Sequence, residues 1–119
     1  MNKRVLLAED DAGIVEAMKL MLEDEGYKVE TALSRADIEK FSQNLPSVLV
    51  LDIWMSGEDG REICKYLKSQ EMTKHLPVIL FSATKDIQRI AQEVGADDFL
   101  PKPFDIDDLL KKVERFAVR

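Results

Sequence analysis

At 119 residues, with 45% hydrophobic and 34% charged side chains, the chain has the size and balance of one globular domain spanning residues 1–119 and none of the low hydrophobicity of disorder. Its net charge of -6 at pH 7 disfavours nucleic acid and anionic membrane as partners, because both demand positive surface potential. No apolar run approaches the ~18 residues of a membrane helix, Met1-Asn2-Lys3-Arg4 leads into a strand rather than a secretory signal, and Cys64 has no partner cysteine, so a cytoplasmic location is expected.

In chain order, the first apolar run, Arg4–Ala8, reads as a strand. Ile14, Ala17, Met18, Met21 and Leu22 then recur on one face of a helix over 12–25, closed by Gly26. Lys28–Ala32 is a second strand, followed by a helix near 34–43 with Ser34 as N-cap. Val48–Asp52 is the third strand and 59–69 the third helix, on which Ile63 and Leu67 surround Cys64 as an inert thiol. Val78–Phe81 is the fourth strand. The helix over 86–94 that follows carries Ile87, Ile90, Ala91 and Val94 on one face and ends at Gly95. Asp97–Leu100 is the last strand, and Asp105 caps a helix over 105–117 whose Ile106, Leu109, Leu110, Val113 and Phe116 are expected to point inward.

Five repeats of strand then helix predict an α/β fold: a (βα)5 doubly wound sheet of five parallel strands, flavodoxin-like. A strand covered on both faces is continuously apolar, as the first, third and fourth are; Lys28-Val29-Glu30-Thr31 alternates and Asp97-Asp98-Phe99-Leu100 is half acidic. The second and fifth strands therefore belong at the edges. Right-handed crossovers then give order 2-1-3-4-5, with the crevice between strands one and three.

Sites in such sheets form at the carboxyl ends of the strands, and four of those ends are polar: Glu9-Asp10-Asp11, Asp52, Ser82 and Lys102. Glu9, Asp10 and Asp52 converge from neighbouring strands and repel by roughly 1 to 4 kcal/mol per pair at ~4 Å. Either one carboxyl takes a raised pKa or a hard cation binds; Mg²⁺, which takes one or two carboxylates plus phosphate oxygens, is favoured. Asp52 beside such a cation is a candidate nucleophile toward a phosphoryl donor, with Lys102 and Ser82 placed to meet the phosphoryl oxygens. Singly, acids after a strand are ordinary solubilisers and N-caps. Together on adjacent strands they are more than that.

These residues resemble the receiver domains of two-component response regulators. The resemblance runs along the chain through Leu7-Ala8-Glu9-Asp10-Asp11, Leu51-Asp52-Ile53-Trp54-Met55 with Gly60, Phe81-Ser82-Ala83, and Gly95-Ala96-Asp97-Asp98-Phe99 leading to Lys102-Pro103-Phe104. It implies that Asp52 accepts a phosphoryl group from a sensor histidine kinase or histidine phosphotransfer protein. It further implies that Asp10, Asp52 and the Trp54 carbonyl bind Mg²⁺, with Glu9 acting through water, and that Ser82, Ala83 and Lys102 engage the phosphoryl group. Ser82 and Phe99 match the family's switch pair, which couples the chemistry to the surface of the fourth helix, last strand and last helix, where an unknown downstream protein or a phosphorylation-dependent dimer partner would dock. A cis Lys102-Pro103 bond is implied as well.

Ser56 stands where the family usually has proline and Glu58 where it has an apolar residue, so a more mobile loop after Asp52 is expected; the segment from Ser82 to Gly95 is short, and so is its helix. Trp54 is either a hood over the acyl phosphate or an exposed indole, and His75 is expected to be an exposed structural residue. Two other functions compete with the switch, which would assist its own phosphorylation and hydrolysis without being a conventional enzyme. A flavodoxin-like cofactor binder is opposed by Glu9-Asp10-Asp11, which would repel the phosphate such a loop must hold. A phosphorylation-independent interaction module is opposed by the full set of charged positions. A stand-alone receiver is favoured over a fragment of a hybrid kinase or larger regulator, since Met1 immediately precedes the first strand.

Overall fold

The computed structural model describes residues 3–117. Its elements are β1 (Arg4–Ala8), α1 (Ala12–Asp24), β2 (Lys28–Ala32), α2 (Arg35–Glu39), β3 (Val48–Asp52), β4 (Trp54–Met55), β5 (Glu58–Asp59), α3 (Gly60–Ser69), β6 (Val78–Ser82), α4 (Ile87–Val94), β7 (Asp98–Pro101) and α5 (Ile106–Ala117). The parallel sheet has the order β2-β1-β3-β6-β7, which is the expected 2-1-3-4-5 once the short β4-β5 pair is set aside.

Side-chain alternation along the inner strands divides the core into two layers. Leu6, Ala8, Leu49, Leu51, Val78 and Leu80 pack with α2, α3 and α4 through Ile38, Ile63, Leu67, Ile87 and Ile90. Val5, Leu7, Val48, Val50, Ile79 and Phe81 pack on the other face with Met18 and Leu22 of α1 and Leu109 and Val113 of α5. β3 and β6 are buried at every residue, whereas the edge strands β2 and β7 each expose part of theirs. Inner strands so confined hold their carboxyl ends in fixed register: Ala8 lies beside Leu51, and Asp52 beside Phe81.

Caps form where the sequence placed them. The Ser34 hydroxyl accepts from Asp37 N–H, Asp105 accepts from Asp107 N–H, and Gly95 closes α4 in the left-handed conformation. Cys64 is fully buried and its thiol is pushed up to about 11 by desolvation, which fits an inert core residue. His75 is exposed, as expected.

Three features depart from the sequence reading. α2 stops at Glu39 rather than near residue 43, because Phe41, Ser42 and Asn44 donate their N–H groups three residues back and tighten the chain ahead of Pro46. Ile106 points outward at the first turn of α5, 47% exposed, so the inward stripe begins at Leu109. The β4-β5 hairpin was not anticipated; it pairs Trp54 with Asp59 and Met55 with Glu58 across Ser56-Gly57.

Gly60 opens α3 directly against the end of β3, donating its N–H to Ile53 O, and a Cβ there would overlap the backbone of Asp52 and Ile53. Only glycine lets α3 start so close to the sheet. Gly60→Ala is therefore expected to cost about 1–3 kcal/mol, as overpacking does. Urea unfolding of the two proteins measures it, and equal stability would show that the end of β3 yields to a methyl group.

Candidate active site

The carboxyl ends of β1 and β3 deliver three carboxylates to one point. Glu9, Asp10 and Asp52 each offer an oxygen, and these oxygens lie within 4.8 Å of one another. Asp10 is exposed, while Glu9 and Asp52 are only 3% and 5% exposed. The arrangement follows from strand register, since Ala8 sits beside Leu51, which sets Glu9, just past β1, level with Asp52, the last residue of β3.

A main-chain amide answers each acid. Asp11 N–H donates to Glu9 Oε2 at 3.0 Å, Trp54 N–H to Asp52 Oδ1 at 3.3 Å, and Ser56 N–H to Asp10 Oδ2 at 2.8 Å. Asp11 also caps α1 through Ile14 N–H, fixing the bend by which the chain leaves β1. From the other side comes Lys102, just beyond β7, whose N–H donates to the Ser82 carbonyl at 2.9 Å. Its ammonium lies 3.0 Å from Glu9 Oε1, 3.4 Å from Asp52 Oδ2 and 4.6 Å from the centre of the Phe81 ring. The pairing with Glu9 Oε1 is ionic, without hydrogen-bond alignment. The Lys102-Pro103 bond is cis, as the resemblance implied.

Burial raises Glu9 above its ordinary value against the pull of Asp11 N–H and Lys102, and the Asp52 charge adds to the rise. Asp10 is held below its ordinary value, chiefly by Ser56 N–H. Burial draws Lys102 down, but Glu9 and Asp52 together outweigh it and leave its pKa above the ordinary value. One ammonium facing three carboxylates leaves negative charge uncompensated. Oxygen donors of this kind, partly buried and crowded, suit a hard divalent cation such as Mg²⁺.

The remaining expected residues surround this cluster. Ser82 is buried at the end of β6, where its hydroxyl donates to Thr84 Oγ1 and accepts from Thr84 N–H, both at 3.1 Å. Ala83 follows it and is exposed. Trp54 turns its indole to solvent, 62% exposed, in line with the exposed-indole reading. Phe99 stands apart on β7, half-buried, with the Lys112 ammonium 4.5 Å from its ring centre and also donating to its carbonyl. Ser56 and Thr84 were not read as site residues from sequence. The Ser56-Gly57 dipeptide is a turn signal that could have pointed to the first; the second had no signal beyond its distance of two residues from Ser82.

The family model of the response regulator receiver domain matches residues 5–114. Response regulator MprA of Mycobacterium ulcerans (strain Agy99) is 35% identical over 122 residues, covering 100% of this chain and 52% of that protein. The DNA-binding dual master transcriptional regulator RpaA of Synechocystis is 34% identical, covering 98% of this chain and 49% of that protein. The chain thus spans about half the length of the curated relatives it matches, and the expectation that nucleic acid is not a partner gains no support from them. Among solved structures, a response regulator from Chloroflexus aurantiacus superposes with a TM-score of 0.90 at 32% identity, each chain covered completely. The receiver domain of sensor histidine kinase PA1611 from Pseudomonas aeruginosa, whose structure has a magnesium ion coordinated in its active site cleft, shares the fold with a TM-score of 0.87 at 20% identity over 100% of both chains. Among the described residues no helix is long and apolar enough to cross a membrane. The fold, the register that gathers the acids and the family match agree: the chain belongs to the response regulator receiver domain family.

Proposed function

We propose that the chain is a phosphorylation switch of the cytoplasm, in which Asp52 takes a phosphoryl group from a histidine kinase, a histidine phosphotransfer protein or a small phosphodonor. The single observation that carries this reading is the meeting of Glu9, Asp10 and Asp52 within 4.8 Å beside the Lys102 ammonium. An Asp52 carboxylate oxygen forms the new bond to phosphorus. The bond from phosphorus to the donor's imidazole nitrogen, or to the acyl oxygen of a small donor, breaks with its electron pair leaving on the donor.

Glu9, Asp10, Asp52 and the Trp54 carbonyl would hold Mg²⁺, which when bound supplies the positive charge that an incoming phosphoryl group requires. Lys102 would exchange part of its pairing with the carboxylates for the phosphoryl oxygens, and Ser82 and Ala83 would meet the same oxygens from the end of β6. For Ser82 this means leaving Thr84, a movement that gives Phe99 on the neighbouring strand a reason to change position. The surface of α4, β7 and α5 would then differ between the two states, for recognition by a downstream protein or a second copy of the chain.

Intact-mass measurement after incubation with acetyl phosphate and Mg²⁺ tests the acceptor. Wild type is expected to gain one phosphoryl group, acid-stable and base-labile, and Asp52→Asn none; equal labelling of both would move the acceptor elsewhere. Metal binding has a separate readout in Tm. Mg²⁺ is expected to raise it, since a ligand of the folded state stabilises by about 2.7 kcal/mol at one hundred times its Kd. Asp10→Asn is expected to weaken the rise, and an unchanged titration in that variant would remove Asp10 from the ligand set.

Lys102 is tested through pH. Burial raises the folded pKa of Glu9 above its ordinary value of 4.5, so the folded state binds the additional proton and stability falls as pH climbs through that folded value. The ammonium limits this loss. Lys102→Met is expected to lose less stability below the ordinary Glu9 value of 4.5, where Glu9 is mostly protonated whether folded or not, than above it. The loss should grow above that, reaching about 1–3 kcal/mol at pH 7 as a buried acid is left unpaired. Urea melts of both proteins across this range measure the difference, and a constant offset would deny the Lys102–Glu9 pair any energetic weight.

A further inference from the structure

The β4-β5 hairpin turns at Ser56 and Gly57, whose φ angles are +48° and +79°. Positive φ at both central residues is the signature of the two-residue turns whose twist suits a hairpin, and it is uncommon for any residue with a side chain. Proline, the family's usual residue at this position, has φ fixed near −65° and no N–H. This chain therefore carries a loop geometry that proline could not adopt, and the geometry has a visible result. Ser56 N–H reaches across to Asp10 Oδ2 at 2.8 Å, with the Ser56 hydroxyl 3.4 Å from the same oxygen.

The hairpin is held at its far side as well. Glu58, the second departure from the family pattern, accepts from Arg35 N–H at 2.9 Å through Oε1, satisfying a free amide in the first turn of α2. The Arg35 guanidinium in turn lies 4.2 Å from the centre of the Tyr66 ring of α3 and pairs with Glu39. An apolar residue at position 58 could not make the bond to α2. The two departures thus work on one small element: Glu58 ties the hairpin to α2, and Ser56 presents an amide from it to the exposed acid of the cluster.

We propose that the Ser56-Gly57 turn is a positioning element for the cation site, holding Asp10 Oδ2 so that Asp10 is oriented toward Glu9 and Asp52 before a metal arrives. The inference rests on the reading of the cluster as a Mg²⁺ site. Groups that hydrogen-bond a metal-ligating side chain fix its orientation, and their loss typically costs 10–100-fold in affinity. Ser56 acts here through its backbone, so the contribution follows the amide and the φ angle rather than the hydroxyl.

The test is a Mg²⁺ titration of the full chain, read by Trp54 fluorescence and by calorimetry, alongside urea melts without metal. Ser56→Pro removes the amide and forbids the turn; Gly57→Val opposes the turn through its φ angle alone, since a Cβ at Gly57 meets nothing within 4 Å. Both are expected to raise the Mg²⁺ Kd by about tenfold. Ser56→Gly keeps the amide, accepts positive φ, and is expected to bind with a Kd close to that of wild type, which a role for the hydroxyl would not allow. If Ser56→Pro does not fold, Gly57→Val decides. Folded variants with the wild-type Kd would overturn the positioning role while leaving the metal reading intact. A wild-type chain that shows no response to saturating Mg²⁺ would overturn both.

Discussion

The structure is organised around a charge conflict at the carboxyl end of its sheet, and the Lys102 ammonium is what contains it. Glu9, Asp10 and Asp52 crowd within 4.8 Å, two of them buried, where a pair of like charges costs roughly 1 to 4 kcal/mol. The backbone cannot spread to relieve this. β1, β3 and β6 are packed on both faces, and Gly60 brings α3 directly onto the end of β3. The rigidity of the sheet converts repulsion into a standing demand for positive charge.

Main-chain amides meet part of that demand without adding a cation. Asp11, Trp54 and Ser56 each donate an N–H to one acid, so every carboxylate is held from outside while Lys102 draws Glu9 and Asp52 from within. Amides orient but do not neutralise. The cluster keeps its geometry and remains anionic, a combination that suits a site built to take a cation. A second lysine in place of an amide would have cancelled a further carboxylate and weakened the reason to bind one.

Sequence carried the parallel sheet and the meeting of the acids because both follow from patterns of short range. Uninterrupted apolar runs mark the inner strands, alternation marks the edges, and strand order then brings residues 9, 10 and 52 to one place. What escaped notice depended on backbone angles and on long-range partners. Nothing in Ser56 itself announces a φ of +48° or an amide aimed at a residue 46 positions earlier. Glu58 read as a plain departure because its partner, the N–H of Arg35, belongs to a helix whose start was known but whose neighbour was not. Ile106 matched the inward spacing of α5 yet fell on its exposed first turn, and periodicity alone cannot tell where along a helix burial begins.

The same electrostatics bear on the proposed reaction. A phosphoryl donor is an anion, and in the resting arrangement it would approach three carboxylates with one shared ammonium between them. Lys102 is the counter-charge of buried Glu9 and Asp52, and turning it wholly to phosphoryl oxygens would leave both acids without that partner, which is costly for buried charges. Glu9, Asp10 and Asp52 would hold a divalent cation whose charge would share the load that Lys102 carries in this structure, leaving the ammonium freer to meet phosphoryl oxygens. In the proposed reaction the lysine would thus serve as the counter-ion of Glu9 and Asp52 at rest and as a phosphoryl ligand afterwards, with the same ammonium in both roles.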